Sequence, residues 1–297
     1  MKQPYRHLYP FQSRFMPING HRYHYVDEGR GPAVLMLHGN PTWSFYYRHL
    51  IAALAPGHRV IAPDHIGCGL SDKPGAHAYG YRLEDRVADL ETFIDRLMPD
   101  TPLTLVVHDW GGMIGMAFAL RHLNKIQRLV ITNTSGFLPP AGKPIPLRLR
   151  LLRNIPPFAG PAVLGLNVFA RAALVMAARR RLPRDVRRGL IAPYDRPKNR
   201  IATLRFVLDI PLSDGDPSFA LVKSVDDQLH RLNHLPMLIC WGKHDFVFDL
   251  DYFDEWQRRF PDAEAHLFEN AGHYLLEDEP RAVTAAIQDF FHNHPIG

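Results

Sequence analysis

Cysteine is nearly absent: the 297 residues hold two, Cys68 and Cys240. Two thiols build no disulfide framework, so a reducing, cytoplasmic setting is expected. Long hydrophobic runs are missing as well. The most apolar stretch, PAVLGLNVFARAALVMAA at 161–178, is interrupted by Asn167 and Arg171. It falls short of the roughly 20 apolar residues of a membrane span. The opening MKQPYRHLYPFQSRF lacks an apolar centre, so no signal peptide is expected. Repeats and low-complexity tracts are absent. Neither cysteine stands at a metal-ligand spacing; no metal is expected, and nothing requires a cofactor. With 46% hydrophobic and 22% charged residues, the chain reads as soluble and globular, long enough for one large domain or two small ones.

Acidic residues are scarce in one segment. Between Ala141 and Leu190 stand ten Arg and one Lys against one Asp, a balance of +10 that leaves −5 for the other residues. Such a segment faces anionic lipid, nucleic acid or an acidic partner, or is a solvated helix surface. Nucleic acid is not expected, because aromatics are not interleaved with the arginines and no recognition motif is present.

What is present is alternation. Short apolar runs at AVLML (33–37), RVIAPD (59–64), LTLVVHD (103–109) and RLVITN (128–133) read as buried strands. Leu83, Val87, Leu90, Phe93, Ile94 and Leu97 recur at helical spacing between the second and third. Strands without polar alternation, separated by helices, predict a mostly parallel sheet covered on both faces. From 138 to 215 no strand is expected; PLRLRLLR, the 161–178 run and 195–209 read as helices. Strands resume at LPMLICWG (235–242) and AEAHLFEN (263–270), and RAVTAAIQDFF (281–291) closes the chain as a helix behind Pro280. The expected architecture is an α/β core, residues 1–137 and 216–297, with a helical cap, residues 138–215, inserted after the sixth strand. The cap would cover the carboxyl ends of the strands, where such sheets bind ligands.

One strand ends unusually. VVHDWGG (106–112) runs from apolar residues into a carboxylate and then two glycines that open a helix. Strand, nucleophile, tight turn and helix is the layout of a nucleophile elbow, here with Asp109 in place of serine. A carboxylate nucleophile forms a covalent ester with substrate; the same Asp also suits a helix N-cap. Three features weigh toward the first. His273, in AGHYLLEDEP, follows a strand near the C-terminus. Asp245, in WGKHD, stands just past a strand between nucleophile and histidine, the chain order expected of such a triad. Asp249 and Asp251 are alternatives farther from the strand end. LHGNP (37–41) follows AVLML, so the backbone N–H groups of Asn40 and Trp110 are candidate oxyanion donors. The Asn40 amide and Trp110 indole N–H could add two more, aimed at a leaving anion. His108, next to the nucleophile, is expected to point away from the site. Cys68 is expected to pack beside its loop and Cys240 to be buried. The cap leucines, Val163, Val168, Phe169 and Met176 are candidates for an apolar channel, or for ordinary cap core.

HGNPTWSFYYR, DHIGCGLSDKP, VVHDWGG and GHYLLEDEP together resemble the haloalkane-dehalogenase-like α/β-hydrolases. The resemblance covers nearly the whole chain, including APYDRPKNR (192–200). It implies Asp109 as nucleophile, His273 as base, Asp245 as acid, and Asn40 with Trp110 as the anion-stabilising pair. In one branch of that family the acid instead follows the strand that ends here in RLVITN; Asn133 and its neighbours are not acidic, which favours Asp245. Epoxide hydrolases use similar elbows with two cap tyrosines, and residues 138–215 hold Tyr194 alone. A haloalkane dehalogenase fits all five residues. YPFQSRF, GNPTWSFYYR and DHIGCGLSDKP are more similar to the β-lactone decarboxylases of bacterial long-chain olefin biosynthesis. Those enzymes convert a cis-3-alkyl-4-alkyloxetan-2-one to a cis-alkene and carbon dioxide. This likeness implies an apolar small-molecule substrate, and contact of the arginine-rich cap with other olefin-biosynthesis enzymes or with the inner membrane surface. A small-molecule receptor that keeps the triad is the non-enzyme alternative.

Overall fold

The computed structural model describes residues 5–140, 143–154 and 159–296. Eight strands form one sheet: β1 (Arg14–Ile18), β2 (His21–Glu28), β3 (Ala33–Leu37), β4 (Arg59–Pro63), β5 (Leu103–Asp109), β6 (Ile126–Thr134), β7 (Met237–Gly242) and β8 (Glu264–Phe268). Their order is β1-β2-β4-β3-β5-β6-β7-β8. β2 runs antiparallel to β1 and β4, and every other neighbouring pair is parallel. All six expected strands are present, with ends shifted by a few residues. The β1–β2 hairpin adds an antiparallel edge. It turns on Asn19-Gly20, both at positive φ (50° and 80°), the pairing a two-residue hairpin favours.

Side chains alternate across this sheet and feed two cores. Leu35, Leu37, Leu105, Val107 and Ile131 point to one face, under helices Leu83–Leu97 and Trp110–Arg121. Val34, Met36, Val106, Val130 and Leu238 point to the other, under helices Arg48–Leu54 and Pro280–Asn293. Burial on both faces explains why β3–β7 carry no polar alternation.

The helical cap enters after β6, the sixth strand, and returns to β7. Its helices include Leu147–Asn154, Val168–Met176, Arg184–Ile191 and Ile201–Leu208. The 161–178 run is not one helix, as its apolar content suggested. A π turn over Gly160–Gly165 ends before Asn167, whose φ of 56° breaks the helical path. Asn tolerates this left-handed conformation, and its amide donates to the Tyr194 carbonyl at 3.2 Å. Among the described residues no helix is long and apolar enough to cross a membrane.

The turn after β5 is as tight as its glycines suggest. Asp109 has φ 54° and ψ −131°, and a Cβ on Gly111 would lie 2.0 Å from the Leu37 carbonyl oxygen. Gly111→Ala therefore forces the helix away from β3. The expected cost is about 1–3 kcal/mol, read from urea unfolding midpoints; a variant as stable as the parent would show that the elbow yields freely.

Candidate active site

The carboxyl ends of β3, β5, β6, β7 and β8 meet under the cap around a cavity of about 420 Å³. That volume suits a small organic ligand. Asn40, Asp109, Trp110 and His273 all line it. Cap side chains such as Leu149, Leu152, Phe169 and Met176 make the opposite wall. Of the channel candidates, Val168, Phe169 and Met176 reach the cavity. Val163 does not; it is fully buried away from the lining.

Asp109 sits on the strained elbow with one oxygen 3.4 Å from His273 Nε2. Its other oxygen accepts the Asn40 backbone N–H at 2.6 Å. His273 Nδ1 faces Asp245 Oδ2 at 2.7 Å. Asp249 and Asp251, the alternatives, instead bind the Lys143 ammonium. The three groups are almost sealed from solvent: Asp109, His273 and Asp245 are 7%, 5% and 4% exposed.

Burial on its own would discharge these groups, but their mutual attraction wins. Burial presses the His273 imidazole down, yet Asp245 and Asp109 together hold its pKa up at about 10. Burial likewise pushes the Asp109 carboxyl up, and the facing His273 brings it below its ordinary value. The resting site is therefore an imidazolium between two carboxylates at neutral pH. His273 is raised, so its contribution to stability is full below the ordinary imidazole value near 6.5 and is lost as pH rises through about 10. Asp109 is lowered, so its contribution is present above the ordinary carboxylate range and lost as pH falls through its folded value.

Of Asn40 and Trp110, one side chain is partly engaged. The Asn40 amide nitrogen donates to the Thr203 carbonyl at 3.1 Å, which uses one of its two hydrogens. The Trp110 indole N–H makes no hydrogen bond among the described residues, and its ring rests against Phe206 with centroids 5.4 Å apart. Trp110 also opens a helix, where backbone N–H groups lack intrahelical partners. Both side chains can therefore receive an anion. Tyr194 is fully buried outside the cavity lining, with its hydroxyl 3.4 Å from the Thr42 carbonyl.

Several supporting residues carried no expectation. Asn133, noted only for not being acidic, is a buried clamp. Its amide donates to Asp245 at 2.9 Å and its oxygen accepts from the Gly242 N–H at 2.9 Å. Thr134 donates its hydroxyl to the Asp109 carbonyl. Asp278, within the quoted GHYLLEDEP, accepts N–H groups from Gly272, Arg179 and Arg180, which ties the His273 loop to the cap. His108 does point away from the cavity, but it is not idle: its Nε2 lies 2.8 Å from the His273 carbonyl oxygen and the two rings sit 4.6 Å apart. Burial, reinforced by His273, lowers its pKa to about 3, so it is a neutral donor. Cys68 and Cys240 are buried free thiols, and burial pushes Cys68 up to about 11. Among the described residues no group of three His, Cys, Asp or Glu could hold a metal ion.

A family model described as the alpha/beta hydrolase fold matches residues 32–280. The chain belongs to the α/β-hydrolase family. This α/β-hydrolase is 46% identical over 285 residues to a cis-3-alkyl-4-alkyloxetan-2-one decarboxylase of Shewanella oneidensis, covering 95% of this chain and 89% of the relative. A protein of the same name from Xanthomonas campestris pv. campestris is 42% identical, with 92% and 93% covered. Haloalkane dehalogenase 2 of Mycobacterium bovis is 33% identical, with 96% of each chain covered. Among solved structures, haloalkane dehalogenase DbeA from Bradyrhizobium elkani matches this α/β-hydrolase with a TM-score of 0.84 at 25% identity, over 95% of this chain and 98% of that one. The motifs had placed the chain in this same group.

The charge arrangement is open to test. Asp109→Asn removes one of the two carboxylates that hold the imidazolium. The His273 pKa should drop by about 1–3 pH units, followed by NMR titration of the imidazole. An unchanged value would show that Asp109 and His273 do not interact in solution.

Proposed function

We propose that this α/β-hydrolase is a β-lactone decarboxylase that converts a cis-3-alkyl-4-alkyloxetan-2-one to a cis-alkene and carbon dioxide. The observation that carries the reading is the gap in identity: 46% and 42% to proteins of that name against 33% to a haloalkane dehalogenase. The cavity agrees with it, since aliphatic and aromatic side chains form most of its wall. The reading places the chain in olefin biosynthesis, after an enzyme that closes the lactone ring.

In this mechanism Asp109 is the nucleophile. Its carboxylate attacks the ring carbon that bears oxygen, with inversion; the carbon–oxygen bond breaks and a free carboxylate is released. The Asn40 amide and Trp110 indole N–H hold that carboxylate as it forms. The new ester oxygen then lies anti to it. Loss of carbon dioxide sends the electron pair into the new double bond and expels the Asp109 carboxylate, so the alkyl groups remain cis. Atoms balance with no water consumed. His273 serves by charge: the imidazolium pairs Asp109 when its carboxylate returns, and Asp245, clamped by Asn133, keeps the ring in place. In a hydrolytic reaction the same histidine would have to lose its proton and activate water. Asp109 becomes a neutral ester in the intermediate, which removes one of the two charges that keep His273 protonated.

A split assay decides between these chemistries. Purified protein receives a cis-3,4-dialkyl β-lactone in one arm and a panel of bromoalkanes in the other. Alkene formation that disappears in Asp109→Asn is the expected result. Bromide release without alkene would make the protein a dehalogenase, and tight binding of a small molecule with no turnover would make it a receptor. Single turnover in ¹⁸O-labelled water reads the path. Direct fragmentation leaves Asp109 unlabelled in a peptide mass spectrum, whereas water attack at the Asp109 carbonyl of an ester, or of an anhydride formed by attack at the lactone carbonyl, puts label into that carboxylate.

A further inference from the structure

Among the described residues, every large exposed apolar side chain except Phe15 lies between Leu147 and Phe246. Leu151, Val168 and Phe246 are 45%, 40% and 39% exposed, and all three also line the cavity. They therefore mark its mouth. Two cap helices flank that mouth in the same manner. Leu147–Asn154 turns Leu149 and Leu152 inward and leaves Leu147, Arg150 and Leu151 outside. Val168–Met176 turns Phe169 and Met176 inward and leaves Val168, Arg171 and Val175 outside. The outer residues recur at steps of three and four, so on each helix they share one face.

A face that mixes large apolar side chains with arginine is unfavourable in water and suited to a bilayer surface. Apolar groups enter the acyl boundary while guanidinium groups stay with the phosphates. The charges here are available for that. Arg150, Arg171, Arg179 and Arg181 are exposed and make no ion pair among the described residues. Arg153, Arg180 and Arg188 are instead paired with Asp216, Glu279 and Asp185. With +10 between Ala141 and Leu190 against −5 elsewhere, the molecule turns its cap toward a negative surface.

We infer that the cap docks on an anionic phospholipid bilayer with the cavity mouth against the lipid. A long-chain substrate then passes from membrane to active site without crossing water. The substrate route rests on the lactone reading of the site; the docking itself does not.

The test is flotation of the full chain with vesicles of phosphatidylcholine alone or mixed with phosphatidylglycerol. The protein should float with the mixed vesicles, much less with the neutral ones, and added salt should release it. Two double variants separate the contributions: Leu147→Asp with Val175→Asp for the apolar part, and Arg150→Glu with Arg171→Glu for the charge. Each should weaken binding about tenfold or more. Turnover of a short-chain lactone in solution should be unchanged in all of them, which also shows that they fold. Turnover of a long-chain lactone carried in mixed vesicles should fall. Absence of flotation, or flotation indifferent to both double variants, overturns the proposal. Self-association in sedimentation velocity that the Asp variants abolish would assign the face to a second copy of the chain and overturn it as well. Flotation without any alkene would leave the docking standing and sink the lactone reading alone, so the two failures are distinguishable.

Discussion

A charged carboxylate has been placed at the floor of an apolar cavity, and most of the surrounding structure exists to make that tolerable. Alone, Asp109 would be driven by burial to take up a proton. An imidazolium at 3.4 Å prevents this, and the imidazolium in turn needs Asp245 at 2.7 Å. Each partner then needs its own restraint. Asn133 and the Val247 and Phe248 N–H groups hold Asp245. His108 holds the His273 backbone. The elbow holds Asp109, in a conformation that the glycines behind it make possible. A chain of buried polar contacts of this kind is satisfied only when complete, which is why the site draws on the ends of five strands.

The five-residue set does not by itself choose a reaction. Halide and carboxylate are both monoanions that leave carbon with an electron pair, and an amide and an indole N–H stabilise either one. What differs is the second step. A haloalkane leaves an ester that only water can open, whereas an opened β-lactone carries its own carboxylate beside the ester and can expel the enzyme without help. The difference resides in the substrate more than in the residues that meet it. The cavity wall and the relationship to other chains therefore carry the functional argument, and the triad does not.

Much of this was readable in the chain, for reasons that are local. β3 through β7 show as apolar runs because both sheet faces are covered. The elbow shows because a strand, a carboxylate and two glycines are contiguous. His273 and Asp245 show because each follows a strand. The β1–β2 hairpin escaped, although Asn19-Gly20 is a strong turn signal: β1 is a short, exposed edge with Pro17 inside it, and it lacks the apolar run that marked the others. Asn133 and Asp278 escaped for a different reason. Their partners lie far along the chain, 112 residues away for Asn133 with Asp245 and 99 for Asp278 with Arg179. No local pattern records such a pairing. Asn167 broke an expected helix because a single left-handed residue outweighs the apolar content of a whole run.

The position of the cap has an evolutionary consequence. Where the segment begins, the Leu138 N–H donates to Asp226 at 3.0 Å, on the helix Phe219–Gln228 that follows the segment's end, so the chain leaves and rejoins the core at neighbouring points. A segment whose ends lie side by side can lengthen, shorten or exchange its helices with little demand on the scaffold that carries it. Asp109, His273 and Asp245 all lie outside the segment, while Leu149, Leu152, Phe169 and Met176 of the cavity wall lie within it. Descendants of such a chain can acquire a new diet by rewriting one continuous stretch of gene while Asp109, His273 and Asp245 stay in place.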